Sequence, residues 1–202
     1  MTRQREFDEE DVLCRATEMF RQGGYASTSI DDLVRVTGIS RSSLYASFGN
    51  KEKLFQRVLD RYCGQMMLRL LLCAEVPPPV ALRRFLIDLV DAIEEWGRPG
   101  GCLLTNTCNE AGATPASIQQ YCRVSLAKQQ RQLRDYFEGA KQRNELPASA
   151  DPDRLAEYFV ALRQAIGVLW RAGSPREQLE HVIDVSVSVL SGQPSLQLSS
   201  LS

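Results

Sequence analysis

The 202-residue sequence is poor in the residue types from which metal and catalytic sites are usually built. It has one histidine, His181, and no two cysteines spaced as C-x-x-C. Structural zinc sites and histidine-dependent catalytic sites need clusters of such side chains. No phosphate-binding glycine loop and no nucleophile–base pair is recognisable either. We therefore expect no metal, no cofactor and no enzymatic activity.

Long apolar runs and an excess of one charge are also missing. No run approaches the roughly 18 apolar residues of a membrane-spanning helix, and the N-terminal residues are charged where an export signal would be apolar. We expect a cytoplasmic protein with no membrane partner. The net charge of −1 gives no overall attraction to nucleic acid. Residues 33–61, however, carry six basic against two acidic side chains, which indicates one local basic face.

Apolar residues recur every three or four positions along most of the chain, which predicts an all-α fold of about nine helices. Gly23–Gly24 should end the first helix and the proline triplet 77–79 the fourth. Alternating valines in 181–190 would suit a strand, but a lone strand has no partner, so we predict a helix there. The predicted helices cover 8–22, 30–36, 41–48, a stretch from 51 onward, 82–96, 102–111, 114–144, 155–169 and a last segment that includes 181–190.

Residues 28–48 have the pattern of a helix-turn-helix motif, with two short helical segments around a tight turn that contains Gly38. The second helix of this motif lies in the major groove of DNA. Arg41, Ser42 and Ser43 are left at its exposed leading end, where arginine can pair with guanine and serine with a base edge or a phosphate. The residues expected to pack the two helices together are Ile30, Leu33, Val34, Ile39, Leu44 and Phe48.

These residues belong to a longer pattern that resembles the signature of the TetR family and extends over residues 8–60 without a gap. The matching positions are Gly24-Tyr25, Thr28-Ser29-Ile30, Gly38-Ile39-Ser40, Leu44-Tyr45, Phe48 and Lys51-Glu52-Lys53-Leu54. The resemblance implies phosphate contacts by Thr28, Tyr45 and Lys51 and base contacts by Arg41 to Ser43. One departure is Ser47, where many members have histidine. The expected DNA-binding residues are Thr28, Ser29, Ser40, Arg41, Ser42, Ser43, Tyr45 and Lys51.

The resemblance also implies the domain organisation and the function. We expect a helix-turn-helix domain at 1–50, a connecting helix at 51–74, a ligand-binding and dimerisation domain at 75–192, and a disordered tail at 193–202. Residues 101–110 are similar to the sixth-helix segment of one branch of the family. The expected function is that of a DNA-binding transcriptional regulator, most commonly a repressor that a small-molecule ligand releases from a palindromic operator.

Two recognition helices that read adjacent major grooves must lie about 34 Å apart, which predicts a twofold homodimer. As in the family generally, the last two helices of each subunit would form a four-helix bundle. The same stripes could instead pack within one subunit. The candidate interface residues are Leu155, Phe159, Leu162, Ile166, Leu169, Val182, Val185 and Val189.

A ligand pocket would be apolar with few polar anchors. Candidate lining residues are Trp96, Leu103, Asn106, Tyr121, Phe159 and Trp170, and an ordinary core position is at least an equal interpretation for each of them.

Six scattered cysteines suggest reduced thiols rather than a disulfide framework. Cys102 and Cys108 raise the alternative of a thiol-based redox or electrophile sensor of the same fold. On one straight helix, however, the two thiols would point about 120° apart, so a disulfide between them would require unwinding. A helical ligand-binding protein or adaptor without DNA binding is a further alternative.

Overall fold

The computed structural model of the chain describes residues 7–72, 76–95, 97, 100–110 and 112–191. Within these residues the fold is all-α, as the hydrophobic periodicity predicts, and the described part contains no strand. Nine α-helices and a short 3₁₀ turn over Val189–Ser191 follow one another along this part of the chain. The helices are α1 (Glu9–Ser27), α2 (Ile30–Thr37), α3 (Arg41–Phe48), α4 (Lys51–Leu72), α5 (Pro78–Glu95), α6 (Leu103–Asn109), α7 (Ala116–Gln142), α8 (Pro152–Arg171) and α9 (Arg176–Ser188).

The helices form two compact units. The first comprises the described residues of 1–65 and 96–125, and the second those of 66–95 and 126–202. The first unit therefore contains α1 to α3, α6, most of α4 and the beginning of α7. None of the described helices is long and apolar enough to cross a membrane.

An aromatic cluster and the packing of α2 on α3 form the core of the first unit. The ring of Phe55 packs edge-on against Phe20 and Tyr25, with centroid distances of 4.7 and 4.9 Å. Leu33 and Leu44 are fully buried between α2 and α3. Together these contacts hold the first three helices on α4.

The first helix is interrupted at the glycine pair, where the sequence predicts its end. Gly24 has the positive φ expected of a helix terminator, with φ 78° and ψ 172°, but the chain makes one more helical turn to Ser27. The two glycines therefore mark a kink inside α1, and α2 begins after Ser29.

The proline triplet begins a helix as well as following one. Pro78 and Pro79 lie in the first turn of α5, where the missing amide hydrogen costs nothing because first-turn amides have no helical partner. The described part of α4 ends at Leu72, and residues 73–75, which include Cys73, lie outside the described residues. The fifth helix therefore begins four residues before Leu82, the first residue of the apolar stripe that predicts it.

The second unit is built around a core to which α5, α7, α8 and α9 all contribute. Phe85, Phe137, Phe159 and Ile166 are buried in this core. The segment with alternating valines is helical, as predicted, because its buried residues Leu179, Ile183 and Val187 are spaced by four and pack against the other helices. The predicted tail at 193–202 lies outside the described residues.

Candidate nucleic-acid interface

Capping residues define both ends of α2 and the start of α3. The Ser29 hydroxyl accepts from the amide of Asp32, and the Asp32 carboxylate accepts from the amide of Ser29, which makes a capping box. Gly38 adopts φ 73° and ψ 5°, a left-handed conformation that ends α2. Ser40 then caps α3 by accepting from the amide of Ser43 at 3.1 Å. These local signals explain why the predicted bounds of α3 are confirmed.

The leading end of α3 is exposed. Arg41, Ser42 and Tyr45 all lie on the surface, with 42% of Tyr45 accessible to solvent. Arg41 and Tyr45 are four residues apart, so they share one face of the helix. This face presents a guanidinium, a hydroxyl and a phenol, which are groups that donate to base edges and phosphates.

The three serines at the start of α3 have different roles. Ser40 contacts both neighbouring hydroxyls, since its Oγ lies 2.9 Å from Ser42 Oγ and 2.9 Å from Ser43 Oγ. Ser43 is half-buried, whereas Ser42 is exposed. Ser40 is therefore largely a capping residue, and Ser42 is the serine best placed to reach a ligand.

Three of the predicted DNA-binding residues also form contacts within the protein. These residues are Thr28, Ser29 and Lys51. Thr28 is 2% exposed, and its hydroxyl donates to the carbonyl of Gly24 at 2.7 Å. Ser29, which is exposed, caps α2. The Lys51 ammonium lies 4.3 Å from the centroid of the Tyr25 ring. Burial lowers the pKa of Lys51, and the nearby carboxylate of Glu110 opposes that shift.

The excess of positive charge in residues 33–61 is largely neutralised by ion pairs in the structure. Arg35 and Arg41 form ion pairs with Asp32 and Asp31, which precede the counted window. On α4, Arg57 and Arg61 pair with two acids of the first turn of α1, Glu9 and Glu10. The bond to Asp31 raises the pKa of Arg41. Exposed ion pairs contribute about 0–1 kcal/mol each, so the Arg41–Asp31 pair can exchange for a DNA contact at small cost.

Glu110 at the end of α6 holds the kink in α1, and sequence reasoning did not identify this residue. Its Oε2 accepts from the amides of Tyr25 at 3.1 Å and Ala26 at 3.2 Å. A Cβ placed on Gly24 would come within 2.8 Å of the Glu110 carboxyl carbon, so only glycine allows this close approach. We call this arrangement of Glu110 on the kinked end of α1 the Glu110 latch. It joins α6 to the end of α1, which directly precedes the helix-turn-helix, within the first unit.

Two family models cover both halves of the chain. Residues 12–58 match the model described as bacterial regulatory proteins, tetR family, and residues 78–185 match the tetracyclin repressor-like C-terminal domain. The first match contains the whole helix-turn-helix motif. The chain belongs to the TetR family of transcriptional regulators. It is a DNA-binding regulator, and its family is not one of enzymes.

Individual relatives of the regulator agree with this assignment. The HTH-type transcriptional repressor ComR of Escherichia coli K12 is 31% identical over 87% of this chain and 85% of its own. The HTH-type transcriptional regulator YezE of Bacillus subtilis 168 is also 31% identical, over 94% and 100% of the two chains. A cysteine-substituted variant of the TetR-family regulator CifR, complexed with 26-base-pair operator DNA, is 26% identical with a TM-score of 0.81, covering 93% of this chain and 99% of its own.

The predicted pocket residues of the regulator fall into both units. In the first, Leu103 and Asn106 are buried in α6, and Asn106 donates to the carbonyl of Gly100 at 2.8 Å. Tyr121 is half-buried on α7, and burial together with a hydrogen bond to Asp60 raises its pKa. In the second, Phe159 and Trp170 are part of the hydrophobic core. Trp96 lies outside the described residues.

The predicted interface residues of α8 face mainly inward. Phe159, Leu162 and Ile166 are buried in the core of the second unit, and Leu155, Leu169 and Val182 pack partly against it. Val185 and Val189 of the second unit are exposed at 56% and 48%. The exposed stripe of α8 lies in a neighbouring register and consists of Tyr158, Ala161, Ala165 and Val168.

The two cysteines named as possible redox sites lie in different environments. Cys102 is fully buried at the start of α6, whereas Cys108 is half-buried near its end. Cys108 is hydrogen-bonded to Cys122 of α7, and this bond lowers the pKa of Cys108 to about 7 while raising that of Cys122. No group of three or more potential metal ligands occurs among the described residues.

Proposed function

We propose that the regulator is a cytoplasmic homodimeric repressor that binds a palindromic operator and leaves it when a small molecule binds. The observation that carries this proposal is the exposed leading end of α3, where Arg41, Ser42 and Tyr45 share a free surface. In this proposal Arg41 and Ser42 contact base edges and Tyr45 a phosphate. The start of α4 at Lys51 adds a second phosphate site, since helix N-termini favour anions.

The surface of the second unit supports the dimer. Tyr158, Ala161, Ala165 and Val168 recur at three- and four-residue intervals, so they form a continuous apolar stripe along α8. The Tyr158 hydroxyl donates to Ser186 at 3.0 Å, which places the beginning of α8 beside the end of α9. Val185 and Val189 extend the apolar surface there. Small side chains allow two helices to approach closely, so α8 and α9 of two subunits would form a four-helix bundle.

The effector is proposed to bind the C-terminal part of the regulator, which matches the tetracyclin repressor-like domain. Such a ligand dissociates the complex if it binds a DNA-incompetent conformation better than the competent one. The Glu110 latch offers a route for this coupling, because a shift of α6 moves the carboxylate that holds the end of α1. We retain residues 75–192 as the proposed ligand-binding and dimerisation domain.

A mobility-shift assay tests the proposed function. The probe is duplex DNA from immediately upstream of the regulator's own gene, at two salt concentrations, with non-specific DNA as competitor. We expect a saturable shift that survives the competitor and weakens as salt rises, because phosphate contacts release counterions. If neither this probe nor selection from genomic fragments yields a specific site, the proposal is wrong.

Arg41→Ala should weaken operator binding at least tenfold and non-specific binding much less. A bidentate arginine–guanine pair discriminates by about 1–3 kcal/mol, and a dimer loses it in both half-sites. Arg35→Ala is the matched control, because Arg35 is also exposed and paired with an acid but lies on α2. Titration of operator and scrambled duplexes measures the effect. Equal losses on both duplexes would contradict a base contact by Arg41.

Tyr45→Phe should reduce DNA affinity about equally on all sequences. The substitution removes only the hydroxyl, and a hydrogen bond contributes roughly 0.5–1.5 kcal/mol, which corresponds to a loss of up to about tenfold in each half-site. The same two duplexes distinguish a phosphate contact from a base contact. A loss confined to the operator would assign Tyr45 to base recognition instead.

A further inference from the structure

We propose that Cys108 and Cys122 form a peroxide-reactive thiol pair, which closes to a disulfide between α6 and α7 and thereby lowers the affinity of the regulator for DNA. The disulfide itself depends only on the arrangement of the two thiols. Its effect on DNA rests on the function proposed above.

Helices α6 and α7 are joined by a hydrogen bond next to this cysteine pair. Gln119 of α7 donates to the carbonyl of Thr107 at 3.0 Å, one residue before Cys108. Gln119 and Cys122 are three residues apart, so they face the same side of α7. The Gln119–Thr107 bond therefore places Cys108 and Cys122 at the same contact between α6 and α7, where the two thiols can form a hydrogen bond. A disulfide requires a shorter S–S distance of about 2.05 Å, so closure would draw the end of α6 towards α7.

The two thiols differ in the way that a reactive and a resolving cysteine differ. Cys108 is half-buried and thus reachable by a small oxidant, whereas Cys122 is 1% exposed. The hydrogen bond from Cys122 lowers the pKa of Cys108, which increases its thiolate fraction relative to an ordinary cysteine. Because thiolates are the nucleophiles in thiol oxidation, Cys108 should react first and Cys122 should resolve the product.

The remaining described cysteines serve as comparisons. Cys102 is fully buried and directly precedes α6 as its N-cap residue. Cys14 is exposed on α1. Cys63 of α4 is half-buried and close enough to Cys122 to raise its pKa. Cys63 is therefore a candidate to compete as a resolving thiol.

The reaction uses a peroxide, ROOH, as the oxidant. The Cys108 thiolate attacks one peroxide oxygen, so that an S–O bond forms, the O–O bond breaks, and protonation gives a sulfenic acid and ROH. The Cys122 thiol then attacks the Cys108 sulfur, which forms the S–S bond and releases water. Overall, two thiols and one peroxide give one disulfide, one ROH and one water. The two electrons come from the thiols.

The Glu110 latch connects this reaction to DNA binding. Glu110 follows Cys108 by two residues, and its carboxylate holds the amides of Tyr25 and Ala26 at the end of α1. Movement of the end of α6 towards α7 would pull on these two hydrogen bonds. Since α2 begins at Ile30, directly after this segment, the helix-turn-helix would lose part of its support.

Mass spectrometry of the full-length, reduced protein tests the disulfide after treatment with one equivalent of hydrogen peroxide. No lysine or arginine lies between residues 102 and 122, so trypsin leaves three cysteines on one peptide. A glutamate-specific protease cleaves after Glu110 and separates Cys108 from Cys122. We expect the fragment ending at Glu110 to be bridged to the fragment that contains Cys122. A bridge that persists in Cys108→Ser, or one made by Cys63, would overturn the proposal.

Single serine variants assign the roles of the two thiols. Cys122→Ser should accumulate a sulfenic acid at Cys108 that dimedone traps, whereas Cys108→Ser should leave Cys122 unoxidised. Cys102→Ser and Cys63→Ser are matched controls that should form the bridge at the wild-type rate. The wild-type protein alone decides whether a bridge to Cys122 forms, and fragmentation of the bridged peptides between Cys102 and Cys108 assigns it without relying on the folding of any variant.

A parallel DNA titration separates this inference from the proposed function. We expect the peroxide-treated protein to bind the upstream duplex at least tenfold more weakly, with recovery after reduction by dithiothreitol. If the reduced protein binds but no Cys108–Cys122 bridge forms, or if the bridge leaves affinity unchanged, the switch is wrong and the proposed function stands. If the reduced protein has no specific site, the proposed function fails, while the mass measurement still decides the thiol pair.

Discussion

Gly24→Ala is expected to lower the melting temperature of the regulator by roughly 5–15 °C and to weaken operator binding at least tenfold. The backbone at φ 78° and ψ 172° is in a region that is essentially restricted to glycine and costs another residue about 1–3 kcal/mol. The added Cβ would also collide with the Glu110 carboxylate. Thermal unfolding followed by circular dichroism, together with the mobility-shift assay, measures both effects.

Gly38→Ala is the matched control for this substitution. Gly38 also has a positive φ, 73°, but no atom lies within 4 Å of the position that an added Cβ would take, so only the left-handed strain of about 1–2 kcal/mol is expected. The double variant Gly24→Ala/Glu110→Ala should relieve the collision but keep the strain. If Gly24→Ala were no more destabilising than Gly38→Ala, the Glu110 carboxylate would not have a fixed position beside Gly24 in the folded protein.

Sequence reasoning succeeded where the determining signals are local. The bounds of α3, Arg41–Phe48, are as predicted because Ser40 caps one end and Gly49 follows the other. The side chains of Arg41 and Tyr45 are exposed for the same reason, since the pattern of Leu44 and Phe48 determines which side of α3 is buried. Short-range capping and periodicity were sufficient here.

Sequence reasoning was less informative where distant residues meet. Glu110 is 84 residues from Ala26, and no spacing rule connects a carboxylate on α6 with a kink in α1. Cys122 likewise bonds to Cys108 only because α7 packs on α6 beside Gln119. The sequence indicates Cys102 and Cys108 as possible redox sites, whereas tertiary packing decides which thiols are neighbours.

Helix α8 has two apolar faces, and periodicity alone does not decide which of them a partner would cover. The stronger stripe, which includes Phe159, Leu162 and Ile166, has large side chains and forms the core of the second unit. The exposed stripe contains alanines, so it contributes little to a hydrophobic pattern. Only the observed burial distinguishes the stripe that a partner could cover from the stripe that the subunit itself covers.

Val168→Glu is therefore expected to convert the proposed dimer into monomers. Val168 is 46% exposed at the end of the apolar stripe, and a twofold interface would bury the new carboxylate once in each subunit. An unpaired buried charge costs several kcal/mol, so the dimer dissociation constant should rise at least 100-fold, since about 1.4 kcal/mol corresponds to a factor of ten. Sedimentation velocity over a concentration series measures this change.

The matched control is Val80→Glu, which places the same charge at a valine of α5 that is 45% exposed in the same unit. Glutamate has a higher helix propensity than valine, so neither substitution should unfold its own helix. We expect Val80→Glu to remain dimeric and to bind the operator as the wild type does. Val168→Glu should lose operator affinity together with dimerisation, because a single recognition helix then has to bind alone. A Val168→Glu protein that stays dimeric would place the interface elsewhere than on the stripe of α8.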